Sequence, residues 1–163
     1  GTALHAFMQF CDYRAASENL EAERVRLREA GYLTPEQADV VELERIRKFL
    51  QSDLAARMMR SKRLLRENRF TVEIEAGRID PSLPEAAGQE KLVLQGVFDC
   101  AFEEDGGLII VDYKTDRIAS PELLAERYHP QLSLYREAAE QTFGLPVYAC
   151  VLYSFWLGKE IQI

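Results

Sequence analysis

The order of elements in this chain predicts an α/β fold, a central mixed sheet with helices against its faces and an all-helical segment ahead of it. Three observations point there: apolar residues at helical spacing through the first third, two apolar runs joined by a turn signal in the middle, and a long helix returning to a last apolar strand. At 163 residues, 47% apolar and 29% charged, the chain has the size and composition of one ordinary globular domain. Residues 1–69 read as its helical portion and residues 70–163 as its sheet-containing core.

The elements follow in order. Leu4, Phe7, Met8 and Cys11 recur at helical spacing from the first residues, with His5 beside that stripe. Asn19 to Ala30 reads as a charged amphipathic helix stopped by Gly31. Thr34-Pro35-Glu36-Gln37 is a capping box with proline at the first helical position, and Val40, Val41, Leu43, Ile46, Phe49 and Leu50 supply one apolar face behind it. A further helix is expected from about Asp53 to Arg66. Phe70 to Ala76 alternates as a strand, and Asp80 to Gly88 reads as a loop from its prolines and turn residues. Lys91 to Lys114 forms a hairpin. Ser120-Pro121-Glu122 starts a helix that Pro130 interrupts or restarts and that Gly144 ends; Val147 to Leu157 is a final strand in the sheet interior.

The hairpin carries the chemistry. Asp105-Gly106 is a two-residue turn signal, so Glu104 faces Gly107, and counting outward sets Asp99 opposite Asp112 and Val97 opposite Lys114. Asp99, Asp112 and Lys114 then share a sheet face, and Tyr113 points the other way. Opposed carboxylates repel, so something cationic belongs between them. A hard divalent ion takes carboxylate oxygens and keeps positions open for water and phosphate, and a lysine beside it can orient water or meet developing charge. That set suits phosphodiester hydrolysis. The same pattern also describes a surface hairpin with ordinary ion pairs.

Three cysteines, Cys11, Cys100 and Cys150, lack C-x-x-C spacing, which excludes a zinc ribbon and a disulfide framework and is too few for an iron-sulfur cluster. They read as buried or partly buried free thiols of a cytoplasmic protein. No apolar run of membrane-spanning length and no export leader is read in the chain. The net charge is −7, yet Lys48, Arg57, Arg60, Lys62, Arg63, Arg66 and Arg69 crowd one segment. That segment reads as a solvated helix face or a docking face rather than a DNA track. Asp116-Arg117 reads as a local ion pair or loop anchor, with Arg117 in reach of a phosphate. Gln131 and Tyr135 lie four apart on one helical face. No G-x-x-x-x-G-K-[ST] nucleotide loop is present.

Gly1-Thr2-Ala3-Leu4-His5, Gly96-Val97-Phe98-Asp99, Asp112-Tyr113-Lys114-Thr115 and Gln131-Leu132-Ser133-Leu134-Tyr135 occur in the order seen in RecB-family nucleases, a branch of the restriction-endonuclease-like D-x-K superfamily. His5 to Phe10, Phe102 to Leu108 and Leu152 to Phe155 are similar, within that family, to the carboxy-terminal nuclease domain of the larger, AddA-type component of Gram-positive AddAB helicase-nucleases. The resemblance implies a restriction-endonuclease-like sheet and a Mg²⁺- or Mn²⁺-dependent deoxyribonuclease. It implies His5, Asp99, Asp112 and the Tyr113 carbonyl as metal ligands and Lys114 as the catalytic lysine, acting with Asp99 and Asp112. Gln131 and Tyr135 would shape the site and contact DNA, with Arg117 a further candidate. Asp112 stands where relatives often carry glutamate. Glu67, in Arg66-Glu67-Asn68-Arg69-Phe70, falls where many relatives carry an acid, and its role is open.

On the same resemblance the chain is a domain excised from a longer helicase-nuclease, since its first motif begins at residue 1. ATP would then act only through parent regions outside it, and the partners would be single- and double-stranded DNA ends, the helicase portion and an AddB-type second subunit. The implied work is exonucleolytic resection of the 3′-ended strand at double-strand breaks. Two alternatives keep the fold: a non-cutting DNA-binding or assembly module, and a free-standing nuclease.

Overall fold

A computed structural model describes residues 1–163. Six helices lead the chain: α1 (Thr2–Phe10), α2 (Tyr13–Glu18), α3 (Leu20–Glu29), α4 (Pro35–Val40), α5 (Leu43–Leu50) and α6 (Asp53–Arg60). β1 (Leu64–Glu75) follows, then the one-turn helices α7 (Ala76–Ile79) and α8 (Glu85–Gly88), then β2 (Lys91–Glu104) and β3 (Gly107–Lys114). The long helix α9 (Pro121–Phe143) crosses over to β4 (Val147–Ser154), and β5 (Lys159–Gln162) closes the sheet. The five strands run in the order β1-β2-β3-β4-β5, antiparallel except for the parallel β3–β4 pair that α9 connects.

Two cores follow from this layering. On one face the leading helices bury Phe7, Leu27, Ile46, Phe49 and Leu54 against Phe102, Val111, Tyr113 and Tyr153 of the sheet. On the other, α9 lays Leu132, Ala138 and Ala139 over Phe70, Phe98, Ile110 and Leu152. The cysteines are buried and free, as expected.

Local signals set many boundaries. Asn19 accepts from the Ala22 N–H, Thr34 and Gln37 make a reciprocal capping box, and Ser120 accepts from the Leu123 N–H. Gly31 and Gly144 take left-handed φ of 78° and 65° just past their helices.

Elsewhere tertiary structure overrode the local reading. The single helix expected behind Thr34 is two, because Val41 turns extended (φ −64°, ψ 124°) to enter the core while Val40 is left in solvent; adjacent β-branched residues hold a helix weakly. The helix expected to reach Arg66 ends at Arg60, and the strand starts at Leu64 instead of Phe70. Pairing with β2, from Leu64↔Phe102 onward, outweighs helical propensity there, and it moves the edge of the helical portion back from residue 69. Ala76 leaves the strand for α7, and part of the Asp80–Gly88 loop is helical. Pro130 does not break α9: it lies on the exposed side, where water takes the carbonyl its missing N–H frees. The last strand stops at Ser154, and α2 and β5 went unread.

Candidate active site

The expected hairpin register holds from Glu104↔Gly107 to Cys100↔Val111. One step further Asp99 and Asp112 would face each other, but the ladder stops there and the Val97–Lys114 pair does not form. The Asp99 Oδ2 instead accepts the Tyr113 N–H at 2.8 Å. A slip in side-chain alternation explains the parting. On β2, Cys100 and Phe102 belong to the helix-side core and Phe98 to the α9-side core; on β1, Leu64 packs helix-side and Phe70 and Val72 the other way. Residues two apart therefore change face at this level, against ordinary alternation. Glu67 absorbs the slip on β1 with a left-handed φ of 46°, a costly state for a non-glycine residue.

Around this break the expected residues gather. His5 donates Nδ1–H to the Gly1 carbonyl at 2.9 Å and Nε2–H to the Tyr113 carbonyl at 3.0 Å, with Asp99 Oδ2 3.6 Å from Nε2. Donation from both nitrogens makes the ring an imidazolium. Its pKa is raised from 6.5 to about 9, chiefly by the hydrogen bond and charge of Asp99, against the opposing effect of burial. Asp112 is 3% exposed, and burial pushes its carboxyl up even though Lys114 beside it favours ionisation. Lys114 Nζ lies 2.6 Å from Asp112 Oδ2, off the hydrogen-bonding direction, so that oxygen has a charge partner and no directed donor. Glu67 is near enough that Asp99 adds to burial in raising its pKa.

Helix α9 supplies the remaining wall. Lys114 Nζ donates to Gln131 Oε1 at 3.3 Å, and Gln131 Nε2 donates to the Tyr135 hydroxyl at 3.1 Å. Tyr135 also packs edge-on to Phe70 and Phe98, so it is both core and site. The sequence reading missed Tyr128, whose ring lies 4.2 Å from Lys114 Nζ and whose hydroxyl donates to Asp116 Oδ2 at 2.9 Å. Its signal was present, three residues before Gln131 and seven before Tyr135 on one helical face. Asp116 pairs with Arg127 at 3.8 Å and not with Arg117, which lies against the Trp156 ring.

The basic segment is no single helix face. Arg57 makes two hydrogen bonds to Glu104, and Arg66 reaches inward to the Gln9 carbonyl at 3.2 Å and over the Tyr13 ring. A cavity of about 500 Å³ among Arg57, Arg60, Lys62 and Glu103 sits at the hairpin tip, the far end of β3 from Lys114.

In kind the donors fit a hard divalent cation: one imidazole, two carboxylates and a backbone carbonyl, with a buried carboxylate oxygen lacking a directed donor. Two protein cations, His5 and Lys114, now stand among the carboxylates, and no three His, Cys, Asp or Glu side chains are gathered closely enough to enclose an ion as they stand.

A five-stranded mixed sheet between helices, with Asp99, Asp112 and Lys114 converging where β2 and β3 part, defines the restriction-endonuclease-like class. The sequence matches the model of the PD-(D/E)XK nuclease superfamily over residues 1–156, and the chain belongs to that superfamily. It is 42% identical over 98% of its length to the AddA-type component of an ATP-dependent helicase/nuclease from Acetivibrio thermocellus. Proteins of the same description from Clostridium novyi and Clostridium botulinum are 34% and 38% identical over its whole length. The chain spans only 13–14% of the length of these curated relatives. No helix is long and apolar enough to cross a membrane.

Proposed function

We propose that this chain is the metal-dependent DNA nuclease domain of an AddA-type helicase-nuclease, hydrolysing phosphodiesters of single-stranded DNA, the 3′-ended strand, delivered to it during resection of double-strand breaks. The observation that supports this best is the convergence of His5, Asp99, the Tyr113 carbonyl, Asp112 and Lys114 at one opening of the sheet. On this reading the domain is a single unit of a longer cytoplasmic chain. The helicase portion supplies ATP-driven movement, and the partner is an AddB-type subunit.

Mg²⁺ or Mn²⁺, when bound by His5, Asp99, Asp112 and the Tyr113 carbonyl, would supply Lewis acidity toward a phosphate oxygen and a water of lowered pKa. The protein groups do the rest. His5 surrenders its Nε2 proton to become a ligand, and Asp99 keeps Tyr113 placed by accepting its N–H. Lys114 leaves Asp112, orients the attacking water and meets charge developing on the phosphoryl oxygens. Gln131 and Tyr135 hold the lysine's approach, and Tyr128 offers its ring to the ammonium.

End-labelled single-stranded DNA incubated with the chain in Mg²⁺ or Mn²⁺ should be degraded, and EDTA, Asp112→Ala or Lys114→Ala should each stop it. A second reading, a module that does not cut when separated from its parent, draws on the Lys114–Asp112 pair, which fills the opening from within. Mn²⁺ binding that depends on Asp112, without cutting, would favour it. Neither cutting nor metal binding would refute the catalytic reading.

A further inference from the structure

The chain has one tryptophan, Trp156, and the fold sets it beside the site. The Phe155 N–H donates to the Lys114 carbonyl at 2.9 Å, so the indole follows directly on the backbone that carries the lysine. The ring is 39% exposed, with the Arg45 guanidinium 4.6 Å and the Arg117 guanidinium 5.4 Å from its centroid. These two arginines differ. Arg45 is fixed, donating Nε–H to Glu42 at 2.6 Å and Nη1–H to the Phe155 carbonyl at 2.8 Å. Arg117 is exposed and held only by the ring, with every donor open. The three line a cavity of about 170 Å³ with Gly1, whose carbonyl anchors His5, and Thr115, which follows Lys114.

We propose that Trp156, Arg117 and Arg45 form a gripping subsite for single-stranded DNA, in which an unpaired base stacks on the indole and the adjoining phosphate is taken by Arg117. This deepens and rests on the nuclease reading above. Strand recognition without base readout combines an aromatic platform with cations along the backbone, which is what this corner assembles. A planar guanidinium with free parallel N–H groups suits a phosphate, and Arg45 is the clamp that keeps the indole upright. The nearest acid, Glu42, is already paired with Arg45, so the corner is cationic on a chain of net charge −7. A strand with its scissile phosphate at Lys114 would pass its neighbouring nucleotides over this ring.

Because Trp156 is the sole tryptophan, its fluorescence reports on the subsite alone. The 163-residue chain would be titrated in EDTA at low salt with oligothymidylate, following tryptophan emission and the anisotropy of a label on the DNA together. Saturable quenching is expected. Arg117→Ala should weaken binding about tenfold with Arg117→Lys recovering part, Trp156→Ala should weaken it similarly, and Trp156→Phe should retain most of the affinity. Binding without quenching, equal quenching by blunt duplex, wild-type affinity in both alanine variants, or no binding would each overturn the subsite. Cutting assayed in Mn²⁺ separates the two readings. Cutting without quenching sinks the subsite and keeps the nuclease; quenching without cutting does the reverse.

Discussion

Asp112 and Tyr113 are neighbours on β3, each about 3% exposed, and their surroundings are opposite in kind. Tyr113 enters the helix-side core, where its hydroxyl meets that of Tyr13 at 3.1 Å and its ring lies edge-on to Phe49 and Phe155. Asp112 enters the α9 side, where one oxygen has no directed donor and the nearest group is a lysine ammonium. The helix-side face is satisfied and serves stability, whereas the α9-side opening keeps buried charge incompletely paired. That imbalance is what a site for a cation and a phosphate requires.

The sharpest way to break the contrast is to change the two faces separately. Lys114→Ala should lower DNA cutting at least about 10²–10³-fold, the scale of a lost transition-state stabiliser. Asp112→Asn should abolish cutting while moving stability by less than about 1 kcal/mol, because the removed charge is also a buried, poorly solvated one; a large drop in melting temperature would mean the opening is built for stability after all. Phe49→Ala should do the opposite. Phe49 is fully buried against Tyr13, Tyr113, Tyr153 and Phe155, so its loss should cost about 3–5 kcal/mol in denaturant unfolding while residual cutting survives at low temperature.

Gly96→Ala tests whether the α9-side core transmits to the site. A Cβ at Gly96 would run into the Phe70 ring, which stacks on Phe98 and meets Tyr135 edge-on. A cost of about 1–3 kcal/mol and a reduced cutting rate are expected; unaltered cutting would uncouple Tyr135 from that core.

The smallest effect belongs to the helix side. Glu23 is 3% exposed, takes the Asp12 N–H at 2.7 Å and pairs with Arg26, which holds its carboxyl below the ordinary range. A lowered folded pKa stabilises fully above the unfolded value, about 4.3, and that share is lost as pH falls through the folded value. Glu23→Gln should therefore cost about 1–2 kcal/mol at neutral pH, and the difference from wild type should shrink on acidification.

How far the site could be read ahead depended on how local its signals were. Asp105-Gly106 set the hairpin register correctly out to Cys100↔Val111, because turn chemistry and pleat period are local. The break at Asp99 was out of reach: it needs Glu67 in a left-handed conformation on a different strand, and nothing in Arg66-Glu67-Asn68 announces that. Arg66 was read as the end of a helix, yet it spans β1 to the carbonyls closing α1, a contact across 57 residues of sequence. Tyr128 was readable from its spacing with Gln131 and Tyr135. Trp156 was not, since only the folding of β4 beside β3 sets it near Arg45 and Arg117.

By itself the amino-acid sequence determined the α/β class, the caps at Asn19, Thr34 and Ser120, the turn of the hairpin and the set of residues with nuclease chemistry. Each of these depends on a few neighbouring residues and their own backbone preferences. Tertiary structure alone decided that β1 starts at Leu64, that the ladder opens at Asp99, and that Lys114 rests on Asp112 within reach of Gln131. Those outcomes are sums over strands and helices far apart in the chain, where pairing and burial outweigh any local preference.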